Sequence, residues 1–242
     1  MSEAPGSWDS RTRILLGDSG VEKLKKAKVA IFGIGGVGGY VLEGLARSGV
    51  GSFLLVDSDE IDISNLNRQI IATRDTIGMK KVDAAKERVL SINPEASVET
   101  RCCFFLPENA AEFDFSGYDY IVDAVDTVTA KIAIILKAKE AGVRVISSMG
   151  AGNKLNPALF EIADLYETET DPLAKVMRRE LKKRGVTELK VVWSREKPVN
   201  AGLPKDGPGR RATPGSVSFV PSAAGLIIAG EVVRDLTEGR TE

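Results

Sequence analysis

Three spaced glycines, a carboxylate and two cations mark the chemistry open to this 242-residue chain. Gly33, Gly35 and Gly38 hold a G-x-G-x-x-G spacing directly after the apolar run 28–32 and at the head of a helix-forming stretch. The first glycine makes the turn, the second lets a phosphate approach backbone amides, and the helix start adds partial positive charge. Gly36 belongs to the same backbone surface. Asp57 ends the next apolar run, where a carboxylate accepts ribose hydroxyls, with Asp59 close behind. So far any dinucleotide or nucleotide would fit. Arg68 and Lys81 narrow the choice. A redox dinucleotide takes its pyrophosphate mostly through backbone amides, whereas reaction at phosphorus builds charge that fixed cations stabilise. Ser64, Asn65 and Gln69 flank Arg68 and offer hydrogen bonds to the same oxygens. Asp126, followed by Thr127, sits just past the fourth apolar run, at the strand ends where such sheets bind ligands. It suits a Mg2+ ion bridging to phosphates, and it equally suits the N-cap of the following helix; the roles are compatible. Asp123 is the alternative ligand, closer to the strand interior. Together these residues imply nucleoside-triphosphate chemistry.

Other chemistries are excluded by composition. Histidine is absent and the only cysteines are the adjacent Cys102 and Cys103. Ser–His and Cys–His nucleophile systems and histidine metal sites are therefore out. Two thiols cannot build a four-thiolate zinc site, and one adjacent pair makes no disulfide framework. They read as buried structural thiols. Catalysis falls to carboxylates, lysine, arginine, backbone amides or a bound metal.

With 43% hydrophobic and 28% charged residues, the chain has the composition of an ordinary soluble globular protein. No run approaches a membrane span, and the N-terminus lacks the apolar segment of a signal peptide, so a cytoplasmic location with no membrane partner is expected. Net charge is −1, but residues 173–212 carry +8 and the remainder −9. A concentrated basic segment on an acidic body is an electrostatic footprint for a polyanion; a solvated lysine-rich helix followed by a loose loop would give the same count.

The elements that must position these groups follow a βα rhythm. Strands are predicted at 28–32, 53–56, 98–102, 120–124 and 143–148, and helices at 36–48, 79–92, 107–113 and 127–141. This implies an α/β, Rossmann-like, doubly wound and mostly parallel sheet covered on both faces. After residue 150 the rhythm loosens: strands at 159–164 and 189–193 flank a helix at 172–184. A Pro/Gly-rich, charged crossover stretch at 194–216 reads as a mobile loop, before a closing helix at 223–236. The expected organisation is a single domain over 1–242, with a nucleotide-binding core at 28–150 and a substrate-binding and dimer-packing part at 151–242.

The Gly33 to Gly38 loop, the run DSDEIDISNLNRQ (57–69), Lys81 and DAVDT (123–127) resemble the ThiF/MoeB/HesA superfamily, whose fold is shared with ubiquitin-activating enzymes, over roughly residues 11–150. The resemblance implies a homodimer that adenylates a carboxylate with Mg-ATP. It places the ribose aspartate on Asp57, the phosphate-contacting stretch on 64–68, the phosphate lysine on Lys81 and the metal aspartate on Asp126. An N-terminal arginine that reaches the ATP of the other subunit falls on Arg13, with Arg11 the less favoured choice. Relatives resembling MoeB carry two C-x-x-C zinc pairs, and many members use a cysteine in the loop before the last helices. This chain has neither, so no zinc is expected.

The second half, with DPLAKVMRRELKKRG, KVVWSREKP and GSVSFVPSAAGLIIAGEVVRDL, resembles the tRNA threonylcarbamoyladenosine dehydratase branch of that superfamily. This implies that ATP activates the carboxylate of a threonylcarbamoyl group on a tRNA adenosine, which then closes on itself. Attack from within the same substrate has a very high effective molarity and needs no enzyme cysteine. The basic segment would then hold tRNA phosphates through Lys175, Arg178, Arg179, Lys182 and Lys183, with Arg195, Lys197, Arg210 and Arg211 on the following loop. The main alternative is an adenylating activator of a ubiquitin-like or sulfur-carrier protein; a sulfur-transfer or carrier partner stays open. An NAD-dependent redox enzyme and a non-catalytic ATP-binding adaptor fit the charged residues less well.

Overall fold

The strands of the computed structural model, which describes residues 6–199 and 214–238, are β1 (Lys28–Phe32), β2 (Ser52–Val56), β3 (Ser97–Arg101), β4 (Tyr120–Asp123), β5 (Arg144–Ser148), β6 (Phe160–Asp164) and β7 (Lys190–Ser194). They form one sheet in the order β3-β2-β1-β4-β5-β7-β6. Every neighbouring pair is parallel except β6 with β7. Side chains alternate between faces, and β1 shows the consequence. Val29 and Ile31 enter one apolar cluster, Ala30 and Phe32 the other. Both faces are covered, so the strand is apolar almost throughout.

Helices α1 (Ser10–Lys26), α2 (Gly38–Ser48), α3 (Lys81–Ile92) and α6 (Phe219–Thr237) close the first face; α4 (Val128–Glu140) and α5 (Pro172–Lys182) close the second. In α5, Ala174, Met177 and Leu181 form the buried stripe at helical spacing. The chain leaves β1 toward β2 on one side and β4 lies on the other, so the strand order reverses at β1. A crevice opens there beyond the carboxyl ends of the strands.

The parallel βα rhythm, the two later strands and the closing helix match the sequence expectation, with ends shifted by a few residues; that the later pair is antiparallel is shown by the structure. Two elements differ. Helix α1 was not expected: among its residues only Gly20, Val21 and Leu24 are buried, and Gly17 (φ 69) breaks its regularity. The helix predicted at 107–113 reduces to one 3-10 turn, Ala110–Glu112. Asn109 folds this stretch onto itself, accepting from Leu106 N and donating to Phe104 O. Phe105, Phe113 and Phe115 turn inward around Phe32 with ring centroids 5.0–6.0 Å from it, a loop spacing that no helix offers.

Candidate active site

At the end of β1 the glycine loop is shaped by close backbone approach. Gly33 has φ 87, and a Cβ on it would lie 2.7 Å from Ala124 O at the end of β4. A Cβ on Gly38 would overlap the Gly33 carbonyl oxygen. These two glycines are needed for the turn itself. Gly35 differs: the nearest atom to a Cβ there is Gln69 Nε2 at 3.9 Å, so its surface faces open space. That space is a cavity of about 430 Å³ lined by Gly33, Gly35, Gly36, Asp57, Asp59, Asn65, Arg68, Gln69, Lys81, Asp126 and Thr127. Gly38 stands behind the loop and begins α2.

The carboxylates are held by the fold. Asp57 Oδ2 accepts from Ile34 N at 2.7 Å and its Oδ1 from Asp59 N at 2.9 Å, which ties the end of β2 to the glycine loop. Lys81, only 6% exposed, places Nζ 2.6 Å from Asp59 Oδ2 and 3.8 Å from Asp57 Oδ1.

A capping box builds the neighbouring turn. Asp62 accepts from Ser64 N, and Asn65 Oδ1 accepts from Asp62 N at 3.1 Å. Arg68 Nη1 donates to Ser64 O and to Asn67 Oδ1, both at 2.9 Å. Ser64 is exposed and outside the cavity lining; its carbonyl steadies Arg68. Gln69 is 6% exposed, and its buried Oε1 has no hydrogen-bond partner among the described residues. A buried amide oxygen left unmatched is costly, while the amide nitrogen of the same side chain is the atom nearest to Gly35 at the cavity.

Asp126 and Thr127 are exposed at the rim, and Thr127 Oγ1 donates to Asp126 Oδ1 at 3.4 Å. The side chain of Asp126 does not cap α4, whose N-cap residue is Thr127. Asp123 is no alternative ligand. It is fully buried, pairs with the equally buried Lys131 at 3.0 Å and accepts from Ser147 Oγ at 2.6 Å. Lys131 Nζ also donates to Val125 O at 3.0 Å. This network underpins the loop that carries Asp126, and nothing in the spacing of the sequence pointed to Lys131 or Ser147. Sequence reasoning also missed the distant walls: Cys103, Phe104 and Leu106 after β3, Ala151 and Gly152 after β5, and Pro214, Gly215, Ser216 and Pro221 before and within α6.

The other expected site residues lie elsewhere. Arg13, on α1, does not line the cavity of its own chain; it pairs with Asp9 at 2.9 Å and Asp18 at 2.8 Å. Of the basic set, Lys175, Arg179, Lys182, Lys183, Arg195 and Lys197 are exposed. Arg178 turns inward and donates to the Thr168 carbonyl at 2.8 Å and to its hydroxyl. Arg179 and Lys183 surround Glu180 together with Arg184; these three cations, Arg184 foremost, draw its carboxyl down to about 2. Arg195 pairs with Glu161 at 2.8 Å. Arg210 and Arg211 fall outside the described residues. The cysteines are not buried: Cys102 is exposed and Cys103 half-buried, because β3 ends at Arg101 and the chain turns out toward the cavity. Burial pushes the Cys103 thiol above its ordinary range.

The chain is similar to known proteins over most of its length. The tRNA threonylcarbamoyladenosine dehydratase of Bacillus subtilis (strain 168) is 44% identical over 237 residues, 94% of this chain and 93% of that protein. Its Escherichia coli (strain K12) counterpart is 37% identical over 179 residues, 73% of this chain and 67% of that one. The crystal structure of the E. coli tRNA N6-threonylcarbamoyladenosine dehydratase, TcdA, in complex with ATP matches with a TM-score of 0.86 and 31% identity over 96% of each chain. The model of the ThiF family covers residues 10–241, and with the glycine loop, Asp57, Arg68 and Lys81 gathered on one crevice the chain belongs to the ThiF family.

Proposed function

We propose that this chain is an ATP-dependent dehydratase that activates the carboxylate of threonylcarbamoyladenosine in tRNA and promotes its cyclisation. The observation that carries this reading is the convergence of the glycine loop, Asp57, Arg68, Lys81 and Asp126 on one cavity, in a chain similar from end to end to a dehydratase crystallised with ATP. The residues present fit the nucleotide: Gly35 leaves room a Cβ would fill, and Arg68 and Lys81 line the same cavity. Bound ATP supplies a phosphoryl centre that turns a carboxylate oxygen into a leaving group. Asp57 accepts the ribose hydroxyls, amides of the glycine loop face the phosphates, and Arg68 and Lys81 neutralise charge as it builds. Lys81 exchanges Asp59 for phosphate oxygens as it does so. The neighbouring group of the same substrate closes on the activated carbon, and one water is lost overall.

The donor set at Asp126 fits Mg2+. Among the described residues no group of three acidic or cysteine side chains forms a metal cage. Mg2+ bound to a nucleotide keeps its waters and needs only one or two carboxylates, which Asp126 at the rim provides. The working form is a homodimer of a single adenylation domain acting in the cytoplasm, with Arg13 reaching the other subunit's cavity. Next to it on α1, Ile14 and Leu15 are 81% and 85% exposed, apolar surface suited to an interface. The tRNA backbone runs along α5, whose N-cap Asp171 accepts from Lys154 in the turn that brings Ala151 and Gly152 to the cavity. Lys175 lies near that start and Lys182 about 10 Å further along.

Incubating ATP with tRNA carrying threonylcarbamoyladenosine, followed by nucleoside mass analysis, tests the proposal. Loss of one water from the modified adenosine is expected. An unchanged nucleoside, with pyrophosphate exchange driven instead by a carrier protein, would overturn it in favour of a carrier-protein activator.

A further inference from the structure

The turn at 150–154, between β5 and β6, borders the cavity through Ala151 and Gly152. Its next residue, Asn153, has φ 57, a left-handed conformation that asparagine tolerates better than most residues. In that conformation one residue meets two distant segments. Asn153 N donates to Gly215 O at 2.8 Å, and Gly215 N donates back to Asn153 Oδ1 at 2.6 Å. Val199 N donates to Asn153 O at 2.7 Å.

Gly215 belongs to the Pro214–Gly215–Ser216 stretch, which lines the same cavity. Asn67 Nδ2 holds the far end of that stretch, donating to Ser216 O at 3.0 Å, while Asn67 Oδ1 accepts from Arg68. The wall is therefore bonded to Asn153 on one side and, through Asn67, to the guanidinium on the other. Gly152 allows the close approach: a Cβ there would lie 2.8 Å from Pro214 Cβ. The turn itself is anchored. Lys154, 2% exposed, donates to Asp171 Oδ2 at 2.9 Å and to the Gly150 carbonyl. Shifting the turn would break a buried ion pair.

We infer that Asn153 is a positioning residue for the nucleotide: it fixes Pro214–Ser216 as a wall of the cavity and, by way of Asn67, keeps Arg68 aimed into it. The inference rests on the ATP-dependent reading of the cavity. It is a role in binding, so it is visible as a KM-against-kcat split.

The test is ATP affinity by titration calorimetry, with KM for ATP and kcat measured on modified tRNA and Tm recorded for each protein. Asn153→Ala loses the Oδ1 acceptor and the left-handed preference, so Kd and KM for ATP should rise about tenfold, with a smaller fall in kcat at saturating ATP where Arg68 loses part of its aim. Asn153→Asp keeps an acceptor at Oδ1 and should restore affinity to within about threefold. Gly152→Ala drives a methyl group against Pro214 and should raise KM for ATP with the Asn153 side chain intact, a second route should Asn153→Ala fold poorly. Unchanged ATP affinity in both Asn153→Ala and Gly152→Ala, or a fall in Tm alone, would overturn the inference. Failure of the unaltered protein to bind ATP would instead overturn the functional reading beneath it.

Discussion

Replacing Lys131 by methionine asks whether the loop carrying Asp126 rests on a buried charge pair. Both side chains are 0% exposed, with Nζ 3.0 Å from Asp123 Oδ2. Methionine nearly fills the volume, so the change is electrical rather than a cavity. It leaves Asp123 as a buried carboxylate without its cation and the Val125 carbonyl without its donor. Removing one partner of a buried pair costs about 3–5 kcal/mol. The bonds that Asp123 retains, from Ser147 Oγ at 2.6 Å and Val125 N at 3.3 Å, place this case near the lower end. At about 2–4 °C per kcal/mol for a chain of this size, Tm should fall by roughly 6–12 °C. Urea denaturation followed by circular dichroism gives the free energies for Lys131→Met, Asp123→Asn and the double variant. The double variant should be less destabilised than the sum of the two by more than about 1 kcal/mol, since neither charge is then stranded. MgATP affinity of Lys131→Met should fall as well, because Val125 and Asp126 lose their support. A loss below about 1 kcal/mol, or strict additivity, would refute this account.

Charge reversal on α5 separates surface from interior. Lys175→Glu with Lys182→Glu should weaken tRNA binding and flatten its log–log salt dependence by roughly 1.4–1.8, two phosphate contacts. Arg178→Ala should leave that slope alone and lower Tm, because its guanidinium serves Thr168; a slope change as large as that of the lysines would sink the distinction. Acid stability has its own handle in Glu231 and Asp235 beside Lys190. Burial pushes both carboxyls up, but hydrogen bonds from Lys190, with Arg234 on Glu231 and Tyr120 on Asp235, outweigh it and hold both below their ordinary 4.5 and 3.8. Depressed folded-state values mean stability that is present above the ordinary values and is lost as pH falls through the folded ones. Asp235→Asn should therefore flatten the fall in Tm below about pH 4, and an acid limb as steep as that of the unaltered protein would count against the network.

What the sequence made legible was local. Gly33, Gly35 and Asp57 are tied by short-range spacing, and the cations Arg68 and Lys81 are read from their type within one recognisable run. The glycines stand where that spacing puts them because the β1–α2 connection is short, and Lys81 returns beside Asp59 because the much longer β2–α3 connection is closed by the Glu60–Lys80 bridge. The rest depends on segments distant in sequence. Pro214–Ser216 becomes a cavity wall only because α6 returns to pack on α2, and no periodicity foretells it. Counting charge could not tell Arg178, which turns in, from Lys175, which turns out. Helix α1 escaped notice because only two of its large residues, Val21 and Leu24, are buried while Ile14 and Leu15 face outward, so no apolar stripe marks it. The cysteines were misjudged because thiols are usually buried, and here the strand stops one residue before them.

The pairing of Asp59 with Lys81, at 2.6 Å, leaves the charges that line the crevice nearly balanced among themselves. A small singly charged anion offers Lys81 no more than Asp59 already does, and it meets Asp57 and Asp126 as repulsion. A polyphosphate with its own divalent counter-ion can engage the amides, the guanidinium and the ammonium together, which offsets the loss of the aspartate contact. The balance of charge in the lining thus favours a guest that carries several phosphates over a small anion.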